Sequence, residues 1–212
     1  MTGVVWHSTF CSEHFAYEHF WTIKHLRHEL IATETIYEGF AKLLRARFRV
    51  GKEEIAREVE DHGDAVAVLP YDPERRVALF VSLSRAPVIV SGTLDQFIEA
   101  PAGLLEDEQP AETAKRELLE EAGLRVTELD HVGHVWSSPG ISTERMHLFL
   151  ARYSRADRTG EGGGLAEEHE DITVSEVALR ELGRKLDQGE IADMKTLALL
   201  LLLRARQPEL FV

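Results

Sequence analysis

An α+β architecture, with strands and helices mixed outside any regular β-α-β alternation, is what the 212-residue sequence predicts. Three observations carry it. Short apolar runs are separated by turn signals at Gly51, Asp72-Pro73 and Ser138-Pro139-Gly140. A helical pattern, entered at Pro110 and closed at Gly123, interrupts the strands once. Two further helical runs, 178–188 and 193–206, end the chain.

Taken in order, residues 1–30 form an extension of uncertain structure, a peripheral helix or a disordered arm. It carries His7, His14, His19, His25 and His28 at spacings that match no ligand set. Residues 32–50 and 54–59 read as strands of an antiparallel sheet turning at Gly51, so 31–62 is expected to form a small sheet of its own. The main domain is then expected over 63–212. Residues 65–70 and 76–83 pair around Asp72-Pro73, and 97–100 is a short strand leading into a Gly-bearing turn. Strands follow at 131–137 and 146–153. A polar, glycine-rich connection covers 154–171, and 172–177 is the last strand.

Composition narrows the function classes. Hydrophobic content of 44% and charged content of 29% describe an ordinary globule, with no internal repeats. The formal charge of −13 argues against a protein that tracks nucleic acid. The longest apolar run, 197–203, is too short to span a bilayer. A single cysteine, Cys11, and a start without a basic, then apolar leader pattern point to the cytoplasm.

The chemistry gathers on the helix before Gly123. Glu117, Glu120 and Glu121 are spaced three and four apart and share one face, while Ala111, Ala114, Leu118 and Ala122 make a buried stripe beside them. Like charges at this spacing repel. A hard divalent cation turns that repulsion into ligation, because Mg²⁺ prefers clustered oxygen donors. The plain alternative is a solvated acidic face. Arg116 stands where it can hold one of the acids in position.

From Glu108 onward the segment Glu108-x7-Arg116-Glu117-Leu118-x-Glu120-Glu121-x-Gly123-Leu124 resembles the signature of the Nudix hydrolases. The first half departs from that pattern: Gly103 lies one residue too close to Glu108. Either the turn is one residue short, or Gln109 stands where the first Glu belongs. Ser138-Pro139-Gly140-x3-Glu144 resembles a segment of the ADP-ribose and GDP-mannose pyrophosphatase branch. Gly162-Gly163-Gly164 leads to acids that resemble its Glu-x-Glu-Asp loop. Asp193-x-Lys195-Thr196 resembles a helix start of the GDP-mannose type; on its own terms Asp193 is a good N-cap.

The resemblance implies an α/β/α sandwich with a small N-terminal antiparallel sheet used for dimerisation, hence a homodimer. It implies hydrolysis of the pyrophosphate bond of a nucleoside diphosphate sugar, GDP-mannose or ADP-ribose, with Mg²⁺ or Mn²⁺ as cofactor. Glu117, Glu120, Glu121, Glu170 and the carbonyl of Ala102 would be the metal ligands. Glu168 would be the general base, with Glu120 its rival and Glu170 assisting; Glu167 lies beside them. Arg85, Arg57, Glu99, Glu144 and Lys195 would face substrate, Arg57 from a neighbouring subunit, where Arg57-Glu58-Val59 resembles a motif of the dimerisation sheet. Leu83 stands where the family carries Gln before the Arg85 position. The alternative is a sensor of the same fold that binds nucleotide sugars without cleaving them; such modules lose signature carboxylates, and all three stand here.

Overall fold

The computed structural model describes residues 28–92, 97–164 and 171–212. The histidine-rich segment 1–27 and both loop acids Glu168 and Glu170 therefore lie outside the described residues.

Two sheets organise the molecule. The first is a three-stranded antiparallel meander of β1 (His28–Glu38), β2 (Lys42–Val50) and β3 (Glu53–Asp61). The expected turn in this region is at Gly51, which the structure has with a left-handed φ of 65°. A second turn at 39–41 splits the 32–50 run in two. Its apex, Phe40, is 84% exposed. Gly39 marks this turn in the sequence, but the apolar Phe40 and Ala41 beside it continue the strand pattern and mask the signal. Of the large apolar side chains here, Leu30, Ile36, Tyr37 and Phe40 are exposed, and Ala46 is the one fully buried core residue.

The second sheet runs β10-β5-β4-β9-β8, with β6 joined to β5 and β7 joined to β4. Its members are β4 (Ala65–Asp72), β5 (Val77–Ser82), β6 (Ile98–Glu99), β7 (Ala102–Leu104), β8 (Asp130–Trp136), β9 (Arg145–Arg152) and β10 (Thr173–Ala178). Every residue of β4 is buried, as a strand covered on both faces must be. Val66 and Val68 pack against Ala114, Leu118 and Ala122 of α2 (Pro110–Ala122). Ala67, Leu69 and Tyr71 point the other way, onto Leu179 and Leu182 of α3 (Leu179–Gln188) and Leu199, Leu200 and Leu203 of α4 (Met194–Arg206). The period-2 alternation of β4 thus produces the helix–sheet–helix sandwich that the resemblance implies. The apolar run 197–203 belongs to α4, and among the described residues no helix is long and apolar enough to cross a membrane.

One topological detail positions the chemistry. β4 and β5 pair only at Tyr71↔Ala78 and Asp72↔Val77, and then part. The segment 98–104 fills the gap between them: β6 bonds to β5, the Pro101 carbonyl accepts from the Val68 amide at 2.9 Å, and β7 bonds to β4. A short helix, α1 (Ala86–Ser91), precedes it. This helix buries no side chain, so no amphipathic pattern announces it in the sequence.

Candidate active site

Helix α2 lies over that wedged segment. Glu117 and Glu121, one turn apart, are both buried and both reach β7. The Ala102 amide donates to Glu121 Oε2 at 3.1 Å. Gly103 lies directly under the Glu117 carboxylate, and a Cβ at this position would overlap it. The glycine is therefore required by close approach, and two carboxylates converge on the Ala102–Gly103 backbone.

Arg116 serves three acids at once. Its Nη2 is 2.9 Å from Glu117, its Nη1 2.9 Å from Glu120, and its Nε 3.5 Å from Glu108. Burial opposes the guanidinium charge, but the surrounding carboxylates, Glu117 foremost, hold its pKa above the ordinary arginine value. Thr113 Oγ1 also donates to Glu108 at 3.4 Å, whereas Gln109 acts as the N-cap residue of α2. The shortened turn after Gly103 still delivers Glu108 to Arg116, so of the two sequence readings the geometry supports the short turn.

The C-terminus of α2 has its own support. Gly123 adopts φ 64° and closes the helix, with the Leu124 amide returning to the Leu118 carbonyl at 2.9 Å. The Gly163 and Gly164 amides then cap the carbonyls of Glu121 and Glu120 at 3.0 and 3.2 Å. A Cβ at Gly162 would overlap the Glu121 carbonyl. The partner that these glycines approach is α2 itself. The Ile172 amide donates to the Gly163 carbonyl at 3.4 Å, so both ends of the segment carrying Glu168 and Glu170 are tied beside α2.

A second charged group sits across the wedge. Glu99 is 2% exposed and forms a two-pronged pair with Arg85, at 2.9 and 3.0 Å, and an ion pair with Lys195 Nζ. Lys195 also meets Asp193 at 3.1 Å. Asp193 caps α4 by accepting from the Thr196 amide at 2.9 Å, and the Thr196 hydroxyl accepts from the Ala100 amide at 2.7 Å. This fully buried threonine fixes the start of α4 to the signature segment, a role the sequence reading missed. The resemblance puts Arg85, Glu99 and Lys195 at substrate; the structure brings all three together, engaged with one another.

Glu144 and Arg57 lie elsewhere. Glu144 Oε1 is 3.3 Å from His62 Nε2, and its loop is bonded to the end of β3. Arg57 lies on β3, where its Nη1 donates to the Ala56 carbonyl at 2.9 Å.

A model of the NUDIX domain family matches residues 61–200, a span that includes α2, both arms of the wedge and Asp193–Thr196. The chain belongs to the Nudix family. It is 42% identical over 151 residues to a GDP-mannose pyrophosphatase of Cronobacter sakazakii, covering 71% of this chain and 78% of that one. With a GDP-mannose pyrophosphatase of Citrobacter koseri it shares 37% over 145 residues, 68% and 75% of the two chains. Its fold is that of the crystal structure of an ADP compounds hydrolase, with a TM-score of 0.68 at 17% identity over 86% of this chain and 95% of that one.

Nudix hydrolases are typically dependent on divalent metals. Among the described residues no group of three or more histidine, cysteine or acidic side chains stands ready-made as a metal cage. The donor chemistry of α2 nevertheless fits a hard cation. Its acids are all oxygen donors, two of them converge on the glycine-bearing backbone of β7, and Arg116 neutralises only part of their charge. The Nudix hydrolase thus carries the family's acidic helix over a backbone cradle that accepts two of its carboxylates.

Proposed function

We propose that this Nudix hydrolase cleaves the pyrophosphate bond of a nucleoside diphosphate sugar, GDP-mannose before ADP-ribose, in a Mg²⁺-dependent reaction. The convergence of Glu117 and Glu121 on Ala102–Gly103 carries the reading. The similarity to GDP-mannose pyrophosphatases over more than two thirds of the chain favours the sugar nucleotide. The products would be GMP and mannose 1-phosphate.

Pyrophosphate is an anion that repels an attacking water as well as the protein's own acids. Mg²⁺, or Mn²⁺ in its place, supplies charge neutralisation and a more acidic water. Glu117 and Glu121 would hold it, with Glu120, the Ala102 carbonyl and Glu170 completing the donors. Arg116 holds Glu117 and Glu120 in place from the side. Glu168 takes the proton from the attacking water. Arg85 and Lys195, both paired with Glu99, supply positive potential at the rim where phosphate arrives.

The N-terminal sheet would form the homodimer. It exposes Leu30, Tyr37 and Phe40, apolar side chains that a second copy can cover, and it carries Arg57 to a neighbouring subunit's site.

The test is phosphate release from a panel of nucleotide sugars, coupled to a phosphatase, with Mg²⁺ present or chelated. Metal-dependent cleavage of GDP-mannose supports the reading. Cleavage of ADP-ribose alone moves the substrate, and binding without turnover across the panel replaces hydrolysis by sensing.

A further inference from the structure

His62 belongs to no sequence motif, yet it links two parts of the molecule. It lies just past β3, where the N-terminal sheet joins the main domain. Its Nδ1 is hydrogen-bonded to Glu60, and its Nε2 is 3.3 Å from Glu144 Oε1. The loop that carries Glu144 is seated on the same strand end. Glu60 donates its amide to the Ile141 carbonyl at 2.8 Å and accepts from the Thr143 amide at 3.0 Å, while the Thr143 hydroxyl donates to Asp61 at 2.8 Å. The Phe40 ring from the β1–β2 turn stacks on the imidazole, with centroids 6.1 Å apart.

We propose that His62 is a positioning residue: its ring clamps Glu144 to the end of β3 and ties the N-terminal sheet to the substrate side of the active site. This rests on the reading of Glu144 as a substrate-facing acid. The chemistry favours a doubly protonated ring, because only then do both nitrogens donate, one to each carboxylate. The charged groups paired with the ring are Glu60 on its own strand and Glu144 from the loop; the turn contributes only the apolar Phe40. Burial works against the ring's charge, but Glu60 and then Glu144 outweigh it and hold the pKa above the ordinary histidine value. As pH rises through that value the ring loses one donor, and one arm of the clamp loosens.

The experiment pairs His62→Phe, which keeps a ring for Phe40 and removes both donors, with His62→Gln, which keeps one donor group. Steady-state hydrolysis of GDP-mannose is measured from about pH 6 to about pH 9. For His62→Phe the expected result is a KM raised about fivefold or more with kcat within about twofold, and His62→Gln recovers part of the loss. The deficit relative to wild type is largest near pH 6 and shrinks toward pH 9. Unchanged KM in both variants, or a deficit independent of pH, overturns the proposal.

Proton NMR of the His62 ring supplies an arm that needs no substrate. Its pKa should fall in Glu144→Gln, and an unshifted titration overturns the clamp. A wild type that cleaves no nucleotide sugar would sink the pyrophosphatase reading, and the NMR titration would then decide the clamp alone.

Discussion

Two groups of acids, each with a buried member, flank the wedged segment 98–104, and the chain supplies them with cations unequally. On one side, Glu99 and Asp193 face Arg85 and Lys195, so the group balances within the chain. On the other, Glu108, Glu117 and Glu120 share Arg116, a formal excess of two negative charges, with Glu121 beside them on α2 and within the field of Arg85. Burying a carboxylate is costly unless cations compensate it. The balanced group is built to hold the loop to α4. The acid-rich one is where we propose that a divalent cation binds.

The largest expected effect separates these two groups. Glu117→Gln and Glu121→Gln should each lower turnover by about a hundredfold or more, measured as GMP release, while the metal-free thermal midpoint holds or rises because a repulsive charge is gone. Wild-type rates in either variant would remove the metal-site assignment.

Glu99→Gln should do the reverse first. It leaves Arg85 and Lys195 without their buried counter-charge and should cost about 3 kcal/mol in denaturant unfolding. A variant as stable as wild type would show that the network contributes nothing to the fold.

These contrasts also explain what was legible in the sequence. The α2 acids are encoded by spacing within one helix, and a helix presents i, i+3 and i+4 together whatever else the chain does. The pairing of Glu99 with Lys195 needs two elements 96 residues apart, and His62 with Glu144 needs 82. Strand β7 is three residues held by β4, a partner no local pattern reveals. The triple glycine was visible, but a glycine records only that close approach is allowed, and its partner, the C-terminus of α2, is set by the fold.

A smaller effect should come from Gly103→Ala, which drives a methyl group into the Glu117 carboxylate. Turnover should drop about tenfold or more, with about 1–3 kcal/mol of overpacking cost. Near-normal kinetics would mean that Glu117 can leave the cradle without consequence.

Cation binding should itself stabilise the protein. At about ten times its dissociation constant, Mg²⁺ should add about 1.4 kcal/mol to wild type. The shift should vanish in Glu121→Gln and persist in Glu99→Gln. An equal shift in all three proteins would place the cation elsewhere.

The smallest effect lies on β9, on the other side of β4 from the Gly103 cradle. Burial, then the neighbouring His134 and His131, push the His147 pKa down to about 4. In the unfolded chain the ring takes up its proton nearer pH 6.5. Between these values the unfolded state binds more protons, so stability falls as pH drops from about 6.5 to about 4. His147→Gln should flatten this part of the thermal-midpoint profile, and an unchanged acid slope would assign it to other groups.

The excess charge on α2 is tested most directly by electron paramagnetic resonance of free Mn²⁺ titrated with wild type and with the Glu117→Gln, Glu121→Gln double variant. Wild type should remove at least one Mn²⁺ per chain from solution, and the double variant should lose this binding. Equal depletion by both proteins would contradict it.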